Sequence, residues 1–254
     1  MPAMPSHPQS PAHEAAPPQL RRLGLEEAAA CLAAGGIVIF PTETLYAIGC
    51  RADKASACGR LCALKGRPQG SPLPLLAADS TQAARAVRLD AAPRSLVERF
   101  WPGPLSLLLP ALPALAPEAR NDNGFAALRV TSHPLAAKLA ALAGGPLTAS
   151  SANFSGGAPA ARAEELDPAL LAALARDGTA TGLLAARTPD DEPRGGLPST
   201  LVEPLPGGRS LRLLRAGAVS AEALTAAGFR LVLRGGPGAP SVAGKSGPRP
   251  PTRY

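Results

Sequence analysis

Short apolar runs and stretches of helical periodicity alternate along the chain, and their spacing predicts interleaved strands and helices. Residues 37–40, Ile-Val-Ile-Phe, form a continuous apolar run between Gly35-Gly36 and Pro41, as expected of a strand buried on both faces. Further strands are predicted at 73–77, 105–109, 125–130, 147–149, 183–185, 200–203 and 211–214. A helix is predicted at 25–34, opened by Glu26 and Glu27 and stopped by Gly35-Gly36. Others fall at 53–64, 80–87 (with Ser80 as cap), 93–100, 133–143, 168–176 and 221–227. Strands and helices that interleave throughout imply one α/β domain built on a mixed sheet with flanking helices.

That pattern stops at both ends. Six of the thirty prolines lie in residues 1–20, and residues 235–254 read Gly-Gly-Pro-Gly-Ala-Pro and then Gly-Pro-Arg-Pro-Pro. The expected organisation is a disordered tail at 1–20, the domain at 21–234, and a disordered Pro/Gly-rich tail at 235–254. Composition sharpens the picture of the core. With 46% apolar but only 3% aromatic residues, it must be built from Ala, Leu and Val. The net charge is +7; one acid lies before Leu20 and three bases beyond Arg234, leaving 23 bases against 18 acids inside the domain. An excess held by the folded part suits a polyanionic partner such as a nucleotide or RNA, or a basic solvated surface.

No charged segment followed by an apolar one opens the chain, and no run approaches a membrane span, so a cytoplasmic protein with no membrane partner is expected. Cys31, Cys50, Cys58 and Cys62 lack metal-ligand spacing and read as small buried hydrophobes in a reducing compartment; no protein-bound metal is expected.

Polar clusters stand at the ends of the apolar segments, where open α/β sheets build their sites. They are Pro41-Thr42-Glu43-Thr44, Lys65-Gly66-Arg67-Pro68, Arg129 with His133, Ser150-Ser151-Ala152-Asn153, Ser199-Thr200 and Arg215. Nucleophilic hydrolysis is poorly supported, because His133 is the single histidine of the domain, precedes a proline, and no Gly-x-Ser-x-Gly elbow exists. Gly244-Lys245-Ser246 imitates the end of a phosphate loop, but Ala239 stands where its first glycine belongs and prolines follow where a helix should start. Lys65 and Arg67, two residues apart beyond a helix, could reach one anion from two directions.

The order Pro-Thr-Glu-Thr, Lys-x-Arg-Pro, Trp-Pro-Gly-Pro, Arg-x-x-x-His-Pro, Ser-Ala-Asn-x-Ser-Gly, Pro-Ser-Thr and Leu-Arg-x-Gly, from about Leu25 to Ala227, resembles the YrdC/TsaC family of threonylcarbamoyl-AMP synthases. The resemblance implies a twisted α/β sheet around a basic cavity. It implies a nucleotidyltransferase reaction in which L-threonine, bicarbonate and ATP give threonylcarbamoyl-adenylate and pyrophosphate, for the modification of adenosine 37 in tRNA. On this resemblance Lys65, Arg67, Ser151 and Asn153 serve nucleotide binding and catalysis, and Arg215 contacts the nucleotide. Thr42 or Thr44, with Arg129, Ser150 and Ser199, form the threonine pocket. ATP with Mg²⁺ on its phosphates, double-stranded RNA or tRNA, and a downstream threonylcarbamoyl-transferase complex are the implied cofactors and partners. The extra carboxy-terminal domain of longer relatives is not expected.

The chain departs from the family pattern at Ala47 (usually Gly), at Thr131 (usually Pro, in Arg-x-Pro-x-His) and at Pro159-Ala160. Glu43 receives no chemical role. One rival is a non-catalytic RNA-binding or ribosome-assembly factor using the same basic cavity, which loss of Lys65, Arg67 or Asn153 would have favoured. Another is a carbamoyl-transfer relative of the hydrogenase-maturation type, which would bring acylphosphatase and zinc-finger modules.

Overall fold

A computed structural model of the chain describes residues 19–68, 70–177 and 180–233, so the expected tails lie outside the described residues apart from Gln19 and Leu20. The apolar run at 37–40 forms β1 (Ile37–Pro41), buried along its whole length. Its alternate side chains enter different cores. Ile37 and Ile39 join one cluster with Leu61, Leu170 and Leu174, while Val38 and Phe40 join another with Leu32, Leu76 and Leu139. A strand that serves two cores has no polar face, which is why the run is unbroken.

β1 turns through residues 42–45 into β2 (Tyr46–Gly49), its antiparallel partner from Val38↔Gly49 to Pro41↔Tyr46. The polar cluster is therefore the turn of a hairpin as well as a strand end. The sequence pattern does not mark β2, because Tyr-Ala-Ile-Gly is short and does not alternate in polarity. The helices are α1 (Leu25–Ala33), α2 (Ala55–Lys65), α3 (Ser80–Ala83), α4 (Arg94–Phe100), α5 (Pro134–Leu142), α6 (Pro168–Ala175) and α7 (Ala221–Ala226). Helix α3 is shorter than its predicted span. Asp79, not Ser80, caps it through the Gln82 amide at 2.7 Å, and a bridge from Val87 to Ala111 draws the chain away from the helical path.

The remaining strands are β3 (Leu75–Ala77), β4 (Leu105–Pro110), β5 (Phe125–Val130), β6 (Leu147–Thr148), β7 (Ser150–Ser151), β8 (Thr181–Leu183), β9 (Thr200–Pro204), β10 (Ser210–Arg215) and β11 (Arg230–Leu233). They form two twisted sheets, β7-β2-β1-β8 and β11-β10-β9-β4-β5-β3-β6. The predicted strand at 183–185 sits earlier, because Gly182 lets the backbone of β8 pack against Leu23 beside β1. Helices α1 and α5 pack between the sheets, with Leu32, Leu139 and Ala140 fully buried. Where β6 leaves one sheet and β7 enters the other, the chain passes beside the β1–β2 turn, and the site lies there. Among the described residues, no helix is long and apolar enough to cross a membrane.

Candidate functional site

A recess of about 150 Å³ opens at the junction of the two sheets. Thr42, Thr44, Tyr46 and Ala47 line it from the hairpin, Ser150 and Ser151 from β7, Arg129 from β5, Ser199 from the residue before β9, and Arg215 from the end of β10. Arg67 reaches it from beyond α2, which Gly66 terminates in the left-handed conformation at φ 57°. Such a cap turns the chain sharply enough to aim the following residue back across the helix end.

Eight of the ten residues singled out in the sequence therefore share one wall or another of this recess, while Lys65 and Asn153 stand behind it. Lys65 is anchored separately from Arg67. Its ammonium donates to the Ser151 carbonyl at 2.6 Å and to the Asn153 carbonyl, and so ties the strand after β6 to the end of α2. Two of its three protons are committed to backbone and one remains. Burial, with the Arg67 charge added, pulls the Lys65 ammonium down to about 8. Asn153 donates to the Phe154 and Gly157 carbonyls at 2.8 and 2.6 Å, holding the loop that follows. Its own side-chain oxygen is buried without a hydrogen-bond partner.

The three arginines are each fixed by Nε. Arg67 donates from Nε to the Ser71 carbonyl at 2.7 Å and from Nη2 to that of Pro72. Arg215 places Nε and Nη2 on the Ser199 carbonyl, at 3.1 and 2.8 Å, with Nη2 also 3.0 Å from the Ser199 hydroxyl. Arg129 donates from Nε to Glu43 at 2.8 Å. Anchoring by one edge leaves the other edge of each fork for a ligand. The anchors differ in charge, however. Carbonyl groups hold Arg67 and Arg215, whereas a carboxylate holds and neutralises Arg129. Burial and then the charges of Arg129 and Arg67 depress the pKa of Arg215. Like charges gathered in a recess mark a place where an anion is stabilised.

Two features escaped sequence reasoning. Glu43 is 8% exposed and pairs with Arg129, and its second oxygen accepts from Thr131 at 2.5 Å. Burial raises its pKa, but the Arg129 charge and the Thr131 hydroxyl outweigh that and leave it below the ordinary carboxylate range. Ser106 supports Ser199 from β4, hydroxyl to hydroxyl at 3.0 Å. Its signal, a serine inside an apolar strand, was visible but pointed nowhere. His133 caps α5, with Nδ1 accepting from the Ala136 amide and Nε2 donating to the Asp191 carbonyl at 2.9 Å. It is a structural residue, as its place before a proline suggests. Thr42 is partly structural too, since its hydroxyl donates to the Leu45 carbonyl at 2.7 Å and closes the hairpin turn. The four cysteines carry no disulfide, and the Cys50 and Cys58 sulfurs lie 3.6 Å apart in the core behind β2.

Among the described residues there is no group of three or more His, Cys, Asp or Glu side chains placed to hold a metal ion. Among the described residues no carboxylate lines the recess, and Glu43, which pairs with Arg129 from outside that lining, has both oxygens engaged.

A family model described as Telomere recombination, the Sua5/YciO/YrdC family, matches residues 30–217. A threonylcarbamoyl-AMP synthase of Stenotrophomonas maltophilia is 41% identical over 175 residues, 67% of this chain and 94% of that protein. Another, from Halorhodospira halophila, is 40% identical over 151 residues, 59% of this chain and 79% of that protein. The crystal structure of P. abyssi Sua5 complexed with L-threonine superposes with a TM-score of 0.68 at 29% identity, covering 82% of this chain. The present chain spans 58% of the length of that structure.

Proposed function

The chain belongs to the Sua5/YciO/YrdC family, and from that membership we propose that it is a threonylcarbamoyl-AMP synthase. The observation that carries this reading is the division of charge in the recess. Among the described residues Lys65, Arg67 and Arg215 pair with no carboxylate and suit the phosphates of ATP, whereas Arg129, neutralised by Glu43, suits the carboxylate of a zwitterionic amino acid. About 150 Å³ is well below the roughly 300 Å³ or more that drug-sized ligands occupy, so threonine takes the recess and the nucleotide lies across its mouth.

In the reaction, the threonine amine attacks the carbon of bicarbonate, a C–N bond forms and water leaves. An oxygen of the resulting carbamate then attacks the α-phosphorus of ATP. The new O–P bond forms as the bond to the bridging β-oxygen breaks, and pyrophosphate departs with the electron pair. No protein nucleophile is required. The chain orients the two substrates and stabilises the charge that grows on the phosphoryl oxygens and on pyrophosphate. Arg67 and Arg215 supply that stabilisation at the mouth, with Lys65 behind them, and Ser150 and Ser151 offer short hydroxyl donors. Mg²⁺, if it accompanies ATP, would offset charge on the phosphates, and among the described residues no cluster of carboxylates, histidines or cysteines would hold it.

The product is the donor for the threonylcarbamoyl modification of adenosine 37 in tRNA, passed to a downstream transferase in the cytoplasm. Direct binding of tRNA or double-stranded RNA would use the basic exterior, since donors this far inside a small recess cannot reach duplex phosphates. For the same reason the site favours an enzyme over a non-catalytic RNA-binding factor. Incubation with ATP, L-threonine and bicarbonate should release pyrophosphate, and omission of threonine should stop it. Release that ignores threonine would overturn the assignment.

Lys65 gives a pH signature. Its proton is bound below about pH 8 in the free protein and lost above it, and phosphate favours the protonated form. KM for ATP should be flat below pH 8 and rise by about tenfold per unit above it. A Lys65→Ala protein should show no such rise. Folding stability responds in the opposite sense. The folded pKa lies below the unfolded one, so stability should increase between about pH 8 and the ordinary lysine pKa of roughly 10.4.

A further inference from the structure

We propose that Glu43 is the positioning residue of the amino-acid half of the site, holding Arg129 by Nε so that its two terminal nitrogens face the substrate carboxylate. The inference rests on the synthase reading and gives a task to the buried carboxylate that pairs with Arg129. The Glu43–Arg129 pair is nearly solvent-free, with side chains 6% and 5% exposed. A buried guanidinium left to itself would turn towards the strongest acceptor available. With ATP lying across the mouth of the recess, that acceptor is a phosphate. Glu43 prevents this in two ways: it fixes the edge that Arg129 presents, and it removes one unit of charge from the side meant for threonine.

Thr131 completes the device. Its hydroxyl donates to the Glu43 oxygen that Arg129 leaves free, at 2.5 Å, and accepts from the His133 amide at 3.1 Å. With both oxygens engaged, the carboxylate cannot rotate away. The position is also one where this chain departs from the resembled pattern, in which a proline would supply neither bond. His133 in turn holds the Asp191 carbonyl, and the Gly195 amide beyond it donates to the Thr44 carbonyl at 2.9 Å. One hydrogen-bonded circuit therefore ties the hairpin turn, the end of β5, the start of α5 and the 186–198 loop to the orientation of Arg129.

The test is steady-state kinetics for both substrates in Glu43→Gln, Thr131→Val and Thr131→Ser proteins, with thermal melts alongside. Glu43→Gln keeps the shape and removes the charge. It should raise KM for threonine by about tenfold or more while KM for ATP stays or falls, because Arg129 is released towards phosphate. Thr131→Val, which leaves the ion pair in place, should raise KM for threonine by about two- to tenfold, and Thr131→Ser should restore the native value. Divergence of the two KM values is something a merely destabilised protein would not produce. Equal increases in both KM values, or no change in either, would overturn the proposal while wild-type turnover stands. A wild-type protein with no threonine-dependent turnover would overturn it together with the synthase reading.

Discussion

Lys65→Ala should lower kcat/KM by about 10²–10³-fold while the protein remains folded. Two losses combine in the kinetic effect. The cationic charge behind the phosphates disappears, and so does the tie from the end of α2 to the Ser151 and Asn153 carbonyls that fixes the β7 wall. The stability terms, by contrast, oppose one another. Removing the ammonium strands two carbonyls, at about 1–3 kcal/mol each when buried, but also ends the burial of a charge that its lowered pKa reports as strained. A small change in melting temperature with a large loss of turnover is therefore expected, measured by calorimetry and pyrophosphate release on one preparation. Full activity in the variant would mean that the nucleotide does not depend on this side of the site.

Gly49→Ala should have the opposite profile and prevent folding. β2 runs so close to the 148 backbone that a Cβ on Gly49 would overlap the Thr148 carbonyl and press on the Phe40 ring. The close approach is enforced from both directions: the Cys50 amide donates to the Thr148 hydroxyl at 2.9 Å, and the Thr148 amide to the Cys50 carbonyl at 2.8 Å. Neither backbone can retreat without breaking the junction between the sheets. The cost should reach about 4 kcal/mol or more, a large part of a typical domain stability of roughly 5–15 kcal/mol. Gly59, inside α2, is the control. A Cβ there meets nothing nearer than 3.6 Å, so Gly59→Ala should be neutral or stabilising by about 1 kcal/mol. Soluble yield and thermal melts of the two alanine variants separate the cases, and a folded Gly49→Ala protein would contradict the packing.

Much of this was legible in the chain because local and tertiary preferences agree. The β1 run, the Gly66 cap after α2 and Pro134 at the start of α5 each state their structure within a few residues. What stayed hidden depended on partners far away in sequence. β2 and β7 are short and draw their identity from pairing Ala47↔Ser151 and Ile48↔Ser150 across about a hundred residues. β8 contains a glycine whose purpose is contact with Leu23. In the site, charged residues announced themselves, but their division of labour did not. Lys65 and Arg67 look like a pair in the sequence, yet one is a tether behind the recess and the other lines it. The role of Glu43 is hidden in the sequence because its partners, Arg129 and Thr131, lie more than eighty residues further on.

One site should bring threonine, bicarbonate and ATP together into a single covalent product. The most direct measurement supplies ¹³C-bicarbonate with L-threonine and ATP and identifies the nucleotide product by mass spectrometry. The expected product is an adenylate that carries both threonine and the labelled carbon, formed with one equivalent of pyrophosphate and missing when Arg67 is replaced by alanine. An adenylate of threonine without the label, or pyrophosphate released with AMP alone, would contradict it.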